Sequence, residues 1–168
     1  DLPDDVFPWL LEDSLNTNCY SIEYQITPDS KVVSCSPETL CSFQVLPQGG
    51  SKANIDILGG TDTMATKLEE FSSKNRSEHS SILSEVVQNV KDLGLKPSVV
   101  EPKVVSPHAG VNHIHSNVTC RVESDQQEIE LISKLHPTPA VCGVGRQQAF
   151  EVINESEPFS RGLYSGVV

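Results

Sequence analysis

The sequence predicts an α+β fold, and three observations carry that prediction. Segments that alternate apolar and polar residues come in neighbouring pairs around short turns, as antiparallel hairpins do. Other segments space their apolar residues by three and four, as amphipathic helices do. No strand–helix–strand unit repeats along the 168 residues, so a doubly wound parallel sheet is not expected.

Taken in order, "DVFPWLLEDSL" (5–15) reads as a short helix behind acidic residues. "NCYSIEYQI" (18–26) alternates and predicts a strand; "KVVSCS" (31–36) is the next, with "TPDS" as the hairpin turn between them. "TLCSFQVL" (39–46) and "ANIDIL" (53–58) form a second hairpin around "PQGGSK". Residues 61–94 read as one long helix. Within it Ile82, Leu83, Val86, Val90 and Leu93 make an apolar face, and Gly94 is a natural stop. "SVVEPKVV" (98–105) and "VNHIHSNVTCRV" (111–122) are strands, "DQQEIELISKL" (125–135) and "RQQAFEVINES" (146–156) are helices, and "RGLYSGVV" (161–168) begins like a strand. Between the last two helices, "LHPTPAVCG" (135–143) is stiffened by two prolines and predicts an extended segment leading to a helix N-terminus.

Length and composition fit one domain, or part of a larger one. With 12 Lys and Arg against 23 Asp and Glu, the net charge of −11 argues against nucleic acid and anionic membranes as partners. An anionic substrate would need local cations or a metal. No apolar run approaches the roughly 20 residues of a membrane span. The chain shows no signal peptide and no initiating Met, which fits a processed chain or a piece of something longer. Five cysteines, an odd number without paired short spacing, predict reduced thiols and no zinc site. The expected location is therefore a reducing compartment, cytoplasm or plastid. The sequons at Asn75, Asn117 and Asn154 are read as chance matches, two of them falling in or beside helices.

Four clusters hold residues capable of chemistry. In "SPETL", Glu38 follows a proline at a strand end, where a half-buried carboxylic acid could donate a proton; a solvated turn glutamate is the plain alternative. In "ILGGTD", Gly59 and Gly60 permit close backbone approach and Thr61 adds a hydroxyl. In "SSKNRSEH", Glu78 borders the apolar helix face, placed either to bind Mg²⁺ through oxygen or merely to sit in solvent. In "NESEPFSRGLYSG", Glu157 and Arg161 have the spacing of an ion pair, and Tyr164 either faces a pocket or packs.

Taken together the clusters resemble chorismate-utilising enzymes. "SPETL" is similar to that family's S-P-E-(R/K/Q/L)-L, "ILGGT" to its (L/I)-A-G-(T/S), and "SSKNRSEH" to its S-x-K-(D/N)-R-x-E-H. "LHPTPAVCG" is similar to L-H-P-T-P-A-x-x-G, and "EPFSRGLYSG" to E-P-F-x-R followed by an aromatic and a glycine. The five matches keep the family's order from Ser36 to Gly166, and the His-Pro-Thr-Pro-Ala form resembles the isochorismate synthase branch. The resemblance implies part of a two-sheet antiparallel sandwich with helices outside, leaving open sheet edges that invite self-association. It implies Mg²⁺-assisted conversion of chorismate to isochorismate. Glu38 would be the general acid and Glu78 a metal ligand. Gly60, Thr61, His136, Ala140, Val141 and Tyr164 would be substrate contacts, with Glu157 and Arg161 supporting the wall.

The chain also departs from the family pattern. No K-V-V-L-A-R-like strand with a general-base lysine precedes "SPETL", and Lys31 adjoins that motif on a different strand. No E-W-x-E-x-x-x-K helix, which would bring a second Mg²⁺ glutamate and a substrate-binding lysine, lies within the 168 residues. Gly59 stands where alanine is usual. Residues 1–168 are thus expected to be a partial chorismate-binding domain, weakly active or inactive alone; the alternative is a degenerate, non-catalytic relative acting as a binding module.

Overall fold

A computed structural model describes residues 20–36, 38–63, 65–108 and 111–167. The expected helix at 5–15 lies outside them. The chain divides between Thr39 and Leu40 into two compact units.

The first unit contains an antiparallel hairpin, β1 (Tyr20–Thr27) and β2 (Ser30–Ser36), in register from Tyr20 opposite Ser36 to Gln25 opposite Lys31, with a shift before Thr27 opposite Ser30. Gln25 closes the turn by donating from Nε2 to the carbonyls of Thr27 (2.5 Å) and Ser30 (3.2 Å).

The second unit is built on a four-stranded antiparallel sheet in the order β3-β4-β6-β5. Its strands are β3 (Ser42–Val45), β4 (Ser51–Asp62), β5 (Ser98–His108) and β6 (Val111–Val122). Helix α1 (Ser73–Asp92) connects β4 to β5, and α2 (Asp125–Leu135), α3 (Pro139–Cys142) and α4 (Arg146–Ser156) follow β6. Alternation decides what is buried. One face of the central strands presents Ala53, Ile55 and Ile57 beside Val118, Cys120 and Val122. Against it pack Ile82, Val86 and Val90 of α1 and Leu131 and Leu135 of α2. Each such aliphatic side chain contributes roughly 1.5–3 kcal/mol of burial, so this layer fixes α1 on the sheet. A smaller cluster of Ala65, Phe71 and Ile114 closes the end near the β4–α1 connection.

The sheets and helices agree with the α+β expectation; three local readings are corrected. The described residues of 61–72 form no α-helix. The strand runs on to Asp62, whose Oδ1 accepts from the Ala65 N–H at 2.9 Å, and a single 3₁₀ turn occupies Leu68–Glu70. The helix starts only at Ser73, where Ser72 caps it by accepting from the Asn75 N–H. The proline segment is extended at His136 and Thr138, but Pro139–Cys142 is a helical turn with proline at its first position, where the missing N–H costs nothing. "RGLYSG" is not a strand. It folds into turns closed by Tyr164 N–H to Arg161 O (2.9 Å) and Gly166 N–H to Leu163 O (3.0 Å), with positive φ at Gly162 and Ser165.

Candidate functional site

The site in the second unit begins at a β-bulge. On β4, Gly59 lies opposite Ile114 and Thr61 opposite His113, so Gly60 is an extra residue without a partner on β6. Gly60 has φ +70°, and a Cβ there would sit 2.7 Å from the Asn75 backbone oxygen. Glycine is therefore required twice, for the left-handed backbone and for the close approach of α1. Asn75 completes the junction by donating from Nδ2 to the Thr61 carbonyl at 2.9 Å. The Thr61 hydroxyl is exposed and lies 3.0 Å from His113 Nδ1.

Behind the bulge, His79 is buried between α1 and the sheet. Its Nε2 pairs with the Ser116 hydroxyl at 2.8 Å, and its Nδ1 faces the Gly59 backbone without completing a hydrogen bond. Burial, reinforced by nearby His115, pushes the His79 pKa below its usual value, and the Gly59 backbone partly opposes this. A Cβ on Gly59 would meet Ile82 Cδ1 at 3.0 Å, and the His79 Cα and Nδ1 at 3.5 Å. An alanine there would need only a small shift of the Ile82 side-chain end, so the structure does not require glycine at 59. Glu78, the preceding residue, is exposed and stands one helical turn beyond Asn75 on the same side of α1. Fold and register thus bring Gly60, Thr61 and Glu78 to one end of the sheet.

A second grouping holds the proline segment. Arg146, the first residue of α4, donates from Nη2 to the carbonyls of Lys134 (2.7 Å) and Pro137 (3.2 Å). Arg161 pairs with Glu157 through two hydrogen bonds, 2.8 and 2.5 Å, and donates to the Val141 carbonyl at 3.1 Å. The expected ion pair is therefore present. Its hydrogen bonds hold the Glu157 carboxyl below its usual range. Both arginines brace the backbone around His136, Ala140 and Val141. His136 and Val141 are partly buried, while Ala140 and Tyr164 are exposed, Tyr164 by 74%. α3 packs on α1.

Glu38 belongs to the first unit, just past β2, with its N–H donating to the Ser36 hydroxyl at 3.3 Å. Glu38 is exposed, which agrees with the solvated turn glutamate and not with the half-buried acid of the two local readings. Glu78 offers Mg²⁺ the hard oxygen donor it prefers. Among the described residues no group of three or more His, Cys, Asp or Glu side chains is gathered as a metal site. The fit is thus to one carboxylate, with the remaining coordination left to water or to a ligand's own oxygens.

Sequence reasoning missed Asn75, His113 and Arg146. Asn75 and Arg146 act through backbone carbonyls, which no residue pattern announces. His113 had one available signal: it stands two residues before His115 on a strand, so both share a face with Asp56, which accepts from His115 Nε2 at 2.9 Å.

A left-handed glycine bulge pinned to a helix that carries a carboxylate, followed by a braced His-Pro-Thr-Pro turn, defines a class. The chain belongs to the chorismate binding enzyme family, whose sequence profile matches residues 9–168. Its relatives include the chloroplastic isochorismate synthase of Catharanthus roseus, 35% identical over 58% of this chain and 17% of that enzyme. Another is isochorismate synthase MenF of Haemophilus influenzae, 24% identical over 91% of this chain and 36% of that enzyme. Among solved structures, the Bacillus anthracis protein assigned as the 2,3-dihydroxybenzoate-specific isochorismate synthase DhbC superposes with a TM-score of 0.71. It is 25% identical, with 90% of this chain and 43% of that one covered. Escherichia coli MenF, at 20% identity and the same TM-score, shares the fold. The chain thus spans between 17% and 43% of the length of these relatives.

Proposed function

We propose that this chain carries part of an isochorismate synthase-type site, which converts chorismate to isochorismate by adding water at one ring carbon while a hydroxyl leaves another. The observation that supports it most is the bulge: Gly60 and Thr61 present a backbone turn and an exposed hydroxyl against Asn75, one helical turn before Glu78, in a chain of the chorismate-binding family. In this reading the Thr61 hydroxyl, set against His113, and the Gly60 backbone orient the substrate. His136, Ala140, Val141 and Tyr164 line its ring. Glu38 protonates the departing hydroxyl, which otherwise leaves as a poor leaving group. Glu78 supplies a carboxylate to Mg²⁺, whose charge would offset a substrate carboxylate on a protein of net charge −11. We place the reaction in a reducing compartment, in keeping with the free thiols of Cys41, Cys120 and Cys142 among the described residues.

Turnover of chorismate with Mg²⁺ by residues 1–168 alone is expected to be slow or undetectable, because no general-base lysine strand and no second glutamate helix lie within them. Binding is the direct test. Calorimetry should show chorismate binding that strengthens with Mg²⁺. Absence of binding under both conditions would refute the proposal, and binding with no turnover in any longer form of the chain would instead identify a non-catalytic binding module.

A further inference from the structure

Arg146 breaks two local rules. It is the first residue of α4, where the helix dipole disfavours a cation, and no acidic residue in that turn offsets it. It is half-buried, yet among the described residues of a chain with 23 Asp and Glu it makes no salt bridge. Instead its Nη2 donates to the Lys134 carbonyl at 2.7 Å and to the Pro137 carbonyl at 3.2 Å. A residue placed against local preference marks a position where the structure or the site demands it.

The two acceptors lie on either side of His136. Lys134 belongs to the last turn of α2, where carbonyls lack partners within the helix and form the negative end of its dipole. A guanidinium is favoured there, which offsets its poor place on α4. The Pro137 carbonyl is approached from α3 as well, by the Cys142 thiol at 3.8 Å. The His136 N–H donates to the Ile132 carbonyl at 3.0 Å. The backbone is thus held before, at and after His136, and one guanidinium nitrogen joins the end of α2, the segment leading to α3, and the start of α4. Arg161 differs. It has a carboxylate partner in Glu157 and meets the same stretch only at its far end, at the Val141 carbonyl.

We infer that Arg146 is a positioning residue for the proposed site: by holding the carbonyls on both sides of His136 it sets the His136–Thr138 wall before chorismate arrives. The inference rests on the isochorismate synthase-type reading given above. A wall ordered in advance spares the ligand the entropy of ordering it, so its loss weakens binding even where the chain stays folded.

The full chain tests it as unaltered protein and as Arg146→Ala, with Arg146→Gln, which keeps one N–H donor, as the milder change should alanine prevent folding. Two measurements are made where urea unfolding shows each variant fully folded. Without ligand, the backbone amide resonances of His136 and Thr138 should shift or broaden on substitution, while those of Thr61 and Asn75 stay in place. In calorimetry with chorismate and Mg²⁺, Arg146→Ala should raise the dissociation constant about tenfold, with Arg146→Gln between the two. Guanidinium ion at about 10 mM, far below the molar range that unfolds proteins, should recover part of the lost affinity, and the same concentration of sodium should not. Unchanged affinity in folded variants, unmoved His136 and Thr138 resonances, or no recovery with guanidinium would each overturn the inference. If the resonances move but the unaltered chain binds no chorismate, the functional reading fails and the positioning role falls with it.

Discussion

Replacing Gly60 by alanine tests the architecture of the site, and Gly94 supplies its control. Both glycines have left-handed backbones, φ +70° and +73°, but their surroundings differ. A Cβ at 60 would meet the Asn75 backbone oxygen at 2.7 Å and the Asn75 Cβ at 3.0 Å, whereas one at 94 would meet nothing within 4 Å. The left-handed conformation costs an L-residue roughly 1–2 kcal/mol, partly offset by the roughly 0.4–1 kcal/mol that alanine saves in the unfolded chain. Gly94→Ala should therefore cost about 1 kcal/mol. Gly60→Ala adds a forced displacement of α1, for which overpacking costs of about 1–3 kcal/mol are typical, for a total of about 2–4 kcal/mol. Urea unfolding followed by circular dichroism measures both. If Gly60→Ala unfolds within about 0.5 kcal/mol of Gly94→Ala at equal m, the close contact between bulge and helix is not what fixes this glycine.

Three further predictions follow from the same contacts. Ser116→Ala removes the partner of buried His79 Nε2 and should cost about 1–3 kcal/mol in the same assay; a neutral outcome would mean that the pair is dispensable. The Glu157 carboxyl is held below its usual value of 4.5 by Arg161. Its stabilising contribution is thus complete above about pH 4.5 and is lost as pH falls through the depressed folded value. The Arg161 Nε–H resonance should report that loss below 4.5, and a transition at or above 4.5 would contradict it. Burial raises the Cys41 thiol to about 11, so at pH 8 about one molecule in a thousand carries its thiolate. Iodoacetamide should label Cys41 far more slowly than a free thiol, and rapid labelling would show that the site is open.

Much of the fold was legible because alternation and helical spacing were regular. β6 at 111–122 and the helices at 125–135 and 146–156 are where those patterns placed them. The reading failed where hydrogen bonds of short polar side chains decide the backbone. Asp62 and Ser72 end the strand and delay the helix, although the run between them looks helical in composition. The final turns were missed because Gly162 and Ser165 take positive φ in a segment whose apolar residues suggested a strand. Within the candidate site, Gly60 was legible as half of a Gly-Gly pair. Its partners were not: Asn75 and His113 join the bulge from 14 and 52 residues away from Thr61. The segment's two arginine braces differ in the same way. Arg161 announced itself by its spacing from Glu157, but Arg146 bonds only backbone carbonyls.

The most direct measurement of the functional claim is a titration of chorismate into this chain and into its Glu78→Gln variant, each with and without Mg²⁺. The bulge-and-helix site predicts that Mg²⁺ tightens binding to the unaltered chain and that the amide abolishes this gain while leaving the fold intact. Equal Mg²⁺ enhancement in both proteins would place the ion elsewhere and contradict the account.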